Sequence, residues 1–306
     1  MEDKLIQNIK ENREIKDSSL KVYLANVRKL NGGENITNLK FLRKTATILN
    51  KIADLKIPTQ RNYITSILVI LTAQPKYKAT CEKYKEALRT LNDTYNEHIN
   101  SHEKTEKESK NWCNIKHLKN TVLNHYKREI TERQLNNKNT LTSKEFDLYQ
   151  KYIISALYLL LPPVRLDYIA EIVTTRDDMT DKNKNYLLNI SRNTKYFYIN
   201  EHKTSKTHGT LEIKIPKELN SILNNWLKIN TSEYLLVNKS GFKMTPNVLS
   251  KAITKAFLPS GKNISLNMLR KIYISEHIDL DIIKKRKELA DAMAHSVSTQ
   301  TTYIKK

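Results

Sequence analysis

Apolar side chains recur every three to four residues through most of this chain, and that spacing restricts it to a fold built mainly of helices. Leu20, Tyr23, Leu24, Val27 and Leu30 fall at i, i+3, i+4, i+7 and i+10 behind the cap-forming run Asp17-Ser18-Ser19, which predicts an amphipathic helix. After Asn31-Gly32-Gly33 a second series holds Leu39, Leu42, Ile48, Leu49 and Ile52. Pro58-Thr59 then opens a third with Tyr63, Ile64, Ile67, Leu68 and Leu71. Only 5 glycines and 7 prolines occur in 306 residues, too few turn formers for a repetitive β architecture.

Residues 1 to about 100 therefore read as a small all-helical domain. The charged stretch 101–112 reads as a solvated helix face or connector, with Trp112 restarting a helix. The polar segment 134–140 lacks helical periodicity and precedes Thr142-Ser143-Lys144-Glu145, a capping box in which Thr142 and Glu145 satisfy each other's backbone donors. This places a domain boundary between 1–138 and 139–306. The next helix buries the run 152–161, and the pattern changes only after Pro162-Pro163. Three short runs rich in Tyr, Ile and Leu (186–191, 195–201 and 210–216) predict a small antiparallel sheet of three strands. Helical spacing returns at Leu219, Ile222, Leu223, Trp226 and Leu227, and persists in 246–257, 265–278 and 281–295. The expected fold class is mainly α with a small antiparallel β-sheet.

Charge supplies the first functional constraint. There are 53 Lys+Arg against 32 Asp+Glu, a formal net charge of +21, which points to a polyanionic partner, nucleic acid first. No GxGxxG or GxxxxGK[ST] occurs, so dinucleotide and ATP sites are unsupported. Cys81 and Cys113 are too few and too far apart for a disulfide framework or a four-cysteine zinc site, which fits an intracellular, reducing setting. The opening residues hold no apolar signal core, and 152–161 is too short to span a bilayer, so a protein without a membrane association is expected. Lys104, Lys107 and Lys110 in the charged stretch, with Arg61 and Lys271, are the cations expected to meet DNA phosphates.

Within 139–306 several residues carry chemistry only in combination. Arg165 follows an apolar helix, where a guanidinium needs a carboxylate such as Asp167 or Glu171, or a bound anion. Lys203 and Lys206 fall between two predicted strands and project from a hairpin tip. Arg270 sits in an amphipathic helix, His295 ends a helix, and Tyr303 follows eight residues later. Each alone has a plain structural explanation. Together they are the parts of metal-free phosphoryl transfer. Two guanidiniums clamp the non-bridging oxygens, a lysine protonates the leaving 5′ oxygen, and a phenol near a histidine attacks phosphorus. Asp177, Asp178 and Asp181, the residues of a competing acidic-triad metal chemistry, lie in a polar turn-like stretch better explained as solvated loop acids.

The order PPVR, hairpin lysine, LR, HS and Y resembles the tyrosine recombinase (integrase) family of mobile elements and DNA viruses, over nearly the whole chain. The resemblance implies a helical N-terminal core-binding domain and an α+β catalytic domain. It implies a site-specific recombinase that cleaves and rejoins strands through a covalent 3′-phosphotyrosyl intermediate, with no metal, no ATP and no small-molecule cofactor. Arg165 and Arg270 take the two arginine roles, Lys203 or Lys206 the lysine's, His295 the helper histidine's and Tyr303 the nucleophile's. Asn267 stands where the family usually has His or Lys. The implied partner is double-stranded DNA, bound by a homotetramer on two sites, inside the cell. The alternatives are a DNA-binding protein of the same fold with weakened catalysis, for which Asn267 speaks, and a type IB topoisomerase-like enzyme, against which the helical N-terminal region speaks.

Overall fold

The structure is a computed structural model that describes residues 2–303. The chain divides into two compact units, Met1–Lys104 and Thr105–Lys306. The division thus falls ahead of the expected 138/139 boundary, and for a packing reason. Leu135, inside the polar segment 134–140, is fully buried in the core of the second unit.

The first unit is all helical: α1 (Glu2–Asn12), α2 (Asp17–Leu30), α3 (Thr45–Ile52), α4 (Ile57–Thr72) and α5 (Lys78–Asn100). The apolar stripe read from sequence is its core: Leu20, Leu24 and Val27 of α2 meet Ile64, Ile67 and Ile70 of α4. Pro58 sits in the first turn of α4, where no amide donor is needed. Two buried polar contacts tie elements of this unit together. Asn26 donates to Ser66 Oγ at 2.9 Å, and the Tyr84 hydroxyl donates to the Leu42 carbonyl at 2.9 Å.

The second unit opens with α6 (Glu106–Asn111), started by a Thr105/Glu108 capping box. Trp112 ends this helix in extended conformation rather than restarting one. The chain turns helical again at α7 (Ile115–Leu118), capped by Asn114, and runs through one π turn (Lys119–Leu123) into α8 (Asn124–Glu132). The central element is α9 (Ser143–Leu160), which starts at the expected Thr142/Glu145 box and buries residues all round its second half. It is surrounded by α8, by α11 (Lys217–Ile229) and by α12 (Pro246–Ala256).

The sheet has four strands, not three, and is mixed: β1 (Glu171–Val173), β2 (Tyr186–Ser191), β3 (Thr194–Ile199) and β4 (Leu211–Lys214), in the order β1-β2-β3-β4. The three antiparallel strands lie where the alternating runs placed them. The addition is β1, parallel to β2 with Ile172 opposite Leu187. Three residues are too few to show alternation. The strand exists because its amides find carbonyl partners far along the chain, Glu171 N–H on Asn185 and Ile172 N–H on Glu233. One sheet face carries Leu187, Phe197 and Ile199 into the core around α9, and the other gathers Tyr186, Leu188 and Tyr198. Between β3 and β4 the chain does not form a simple tip. It makes a one-turn helix, α10 (Ser205–His208). After α11 and α12 come α13 (Leu266–His277), α14 (Leu280–Ala292) and α15 (Val297–Tyr303). Among the described residues no helix is long and apolar enough to cross a membrane.

Candidate active site

The arginine loop follows α9, because Pro162 and Pro163 cannot continue the helical ladder. Two buried tyrosines pin it. The Tyr158 hydroxyl donates to the Arg165 carbonyl at 2.7 Å, and the Tyr168 hydroxyl donates to the Pro162 carbonyl at 2.9 Å, with the rings edge to face at 5.3 Å. The backbone that presents Arg165 is thus fixed, while its side chain is exposed. The guanidinium is not desolvated, as its apolar flank suggested, and it has no ion-pair partner among the described residues. Glu171 pairs instead with Lys184 at 3.0 Å and Lys243 at 3.8 Å.

Arg270 comes to the same place from α13. Ser265 caps that helix by accepting the Met268 N–H, and Arg270 one turn later donates from Nη1 to the Pro163 carbonyl at 2.7 Å, 107 residues away in sequence. The half-buried Asp167 sits among these groups. Burial raises its carboxyl above the ordinary aspartate value, opposed by the positive fields of His202, Arg165 and Arg270. The charges of both predicted arginines thus act on this one acid. Asn267, three residues before Arg270, is exposed on the first turn of α13.

The lysine loop is joined to the arginine loop by Asn185, which is 7% exposed. Its Nδ2 donates to the Asp167 carbonyl at 3.0 Å and to the Glu201 carbonyl at 3.1 Å, and its Oδ1 accepts the Glu201 N–H at 2.8 Å. His202 closes the loop, with Nε2 2.8 Å from the Gly209 carbonyl and Nδ1 3.3 Å from Thr204 Oγ1. Gly209, at φ +64° and ψ −157°, takes a backbone conformation in which a side chain would be strained. Lys203 is exposed in the turn before α10, and Lys206 lies within α10.

His295 and Tyr303 form a second group. The α14 helix ends in a Schellman turn. The Ala294 N–H bonds the Asp291 carbonyl and the His295 N–H bonds the Ala290 carbonyl, with Ala294 in the left-handed region at φ 52°. His295 lies beside Tyr303 with ring centroids 5.8 Å apart and planes inclined by 22°. Its Nδ1 is 3.2 Å from the Ser296 carbonyl, and its buried Nε2 has no partner among the described residues. Tyr303 is 65% exposed. No hydrogen bond, ion pair or ring contact among the described residues joins His295 or Tyr303 to Arg165 or Arg270.

Of the expected phosphate-contacting cations, Lys107 and Lys110 are exposed on α6, and Lys104 ends the first unit. Arg61 and Lys271 are engaged within the fold. Arg61 donates to Asn92 at 2.7 Å and stacks over Tyr95 at 4.0 Å, and Lys271 pairs with Glu108. The loop acids have local work: Asp178 accepts from the Thr175 N–H and hydroxyl, and Asp181 accepts the Asn183 N–H. Sequence reading named Asp167 beside Arg165 but missed Asn185 and His202 as members of this site. The neighbours of His202 in the run HKTSK hinted at its place, but nothing in the sequence marks Asn185. No protein-family model matches the chain, and no curated protein matches it.

Proposed function

We propose that this protein is a DNA strand transferase of the tyrosine recombinase type. It would cut one strand by attack of Tyr303 on a phosphodiester and rejoin it by the reverse step. The observation that carries the reading is the hydrogen bond from Arg270 to Pro163. It brings Arg270 to the loop that presents Arg165, which Asn185 in turn joins to the lysine-bearing loop. In the forward step the Tyr303 oxygen bonds to phosphorus and the P–O5′ bond breaks. The phenol's proton goes to water, and a lysine of the loop protonates the departing 5′ oxygen. Arg165 and Arg270 hold the charge that builds on the two non-bridging oxygens. The net charge of +21 supports DNA as the substrate. In this reading the first unit is the core-binding domain, the second is the catalytic domain, and recombination takes place between two DNA sites held by four copies.

The test uses a pool of nicked DNA in EDTA, denatured and resolved by gel, with peptide mass spectrometry on the shifted band. DNA on the Tyr303 peptide is the expected result. Tyr303→Phe loses the adduct and keeps DNA affinity within about twofold, because only a hydroxyl is removed. The lack of any hydrogen bond or ring contact between Tyr303 and the arginines among the described residues favours a second reading, a DNA-binding protein without catalysis, and intact salt-sensitive binding with no adduct from the unmodified protein decides for it.

A further inference from the structure

We propose that Asn185 is a positioning residue of this site, a latch that sets the lysine loop against the arginine loop so that a lysine reaches the leaving oxygen. The proposal rests on the strand-transfer reading above. Asn185 ends the segment before β2 and touches both loops through one buried amide. Its oxygen meets an N–H, from Glu201, and its nitrogen meets two carbonyls, of Asp167 and Glu201. Only a carboxamide supplies one acceptor and two donors in that volume. An aspartate there would turn an oxygen toward the two carbonyl oxygens.

The contact is made where the chemistry converges. Asp167 lies two residues after Arg165, and Glu201 lies two before Lys203. Asn200 reinforces the joint by donating to the Lys184 carbonyl at 2.8 Å. On the far side of the loop His202 bonds the Gly209 carbonyl, so the segment from 200 to 209 is tied at both ends. The loop's lysines are thereby held on a frame that starts at the arginine loop rather than at the sheet alone. Among the described residues Asn185 makes no hydrogen bond to a lysine or arginine side chain, and it acts through the backbone of both loops.

The chemical step gives the test its specificity. A lysine proton is needed only when the leaving group is a poor one. With sulfur in place of the bridging 5′ oxygen, the P–S bond breaks and a thiolate leaves without a proton, since thiols are far stronger acids than alcohols. Asn185→Asp is made alongside Lys203→Ala and Lys206→Ala. Adduct formation is followed on DNA carrying the cleavage site found with the unmodified protein, once with oxygen and once with the bridging sulfur. The expected result is that Asn185→Asp is slowed by about 10²-fold on the oxygen DNA and returns to within about threefold of the unmodified protein on the sulfur DNA. One of the two lysine variants shows the same pattern.

Equal slowing on both DNAs places the defect in the phosphate clamp or the fold and overturns the proposal, and so does an unchanged rate on oxygen DNA. Backbone amide exchange separates a latch from a folding residue without any reaction. Faster exchange confined to 200–210 is expected, whereas faster exchange across the whole second unit, or none anywhere, overturns it. If the unmodified protein forms no adduct on either DNA, the strand-transfer reading falls, and the role of Asn185 in it falls too. The exchange result still reports whether the two loops are latched.

Discussion

Arg270 carries two duties with one side chain. One guanidinium nitrogen holds the Pro163 carbonyl, and in the proposed reading the others meet a phosphate. A lysine has a single nitrogen for both. Arg270→Lys is therefore expected to lower the adduct-forming rate by about 10²-fold or more while DNA affinity changes little, read by single-turnover cleavage beside a binding isotherm. Ala294 presents the opposite case, a residue poorly suited to its backbone. Its left-handed conformation is required by the Schellman turn that delivers His295, and a Cβ is unfavourable there. Ala294→Gly should raise the protection of the α14 amides by about 0.5–1 kcal/mol in native-state exchange, and Ala294→Val should lower it. Asn185 is a residue whose role no local pattern announces. Asn185 looks like one more polar residue ahead of a strand until its amide is seen bridging segments 16 and 18 residues away.

Among the elements, α9 was the most legible and α15 the least. The start of α9 is written in its capping box and its burial in its apolar run. The box also sets an acid limit. The Lys138 ammonium at 2.5 Å and the Thr142 N–H and hydroxyl hold the Glu145 carboxyl down, from 4.5 to about 2. A carboxyl held low in the folded state stabilises it fully above the unfolded value and loses that effect as pH falls through the folded one. Urea midpoints should fall as pH drops from 4.5 to about 2. In Glu145→Gln that fall should be shallower and the midpoint lower at neutral pH. The α15 sequence VSTQTTY has no apolar stripe. Its helix rests on Ser296 Oγ accepting the Thr299 N–H, and on Gln300, which is buried and bonded to Arg286 of α14. Packing of this kind is decided by a partner helix, so periodicity could not reveal it. The strand β1 escaped notice for the same reason.

At the scale of the whole molecule, +21 predicts the energetics of DNA binding. If the lysines and arginines neutralise six or more phosphates, affinity for any duplex should fall by about 10³-fold or more between 50 and 200 mM salt. Fluorescence anisotropy at several salt concentrations measures this, and a flat response would remove DNA from the reading. The sequence by itself determined the helical class, the capped helices, the three antiparallel strands and the identities of the candidate arginines, lysines, histidine and tyrosine. Those features depend on spacing, capping and charge within a few residues of one another, which a linear text records directly. The tertiary structure alone decided the division at 104/105, the parallel fourth strand and the one-turn helix in the lysine loop. It also decided that Arg270 bonds the loop that presents Arg165, that Asn185 joins this loop to the lysine loop, and that His295 stacks beside Tyr303. These facts depend on hydrogen bonds and burial between segments tens to more than a hundred residues apart. A buried donor takes whichever acceptor the packed chain brings to it, and sequence separation leaves no trace of that choice.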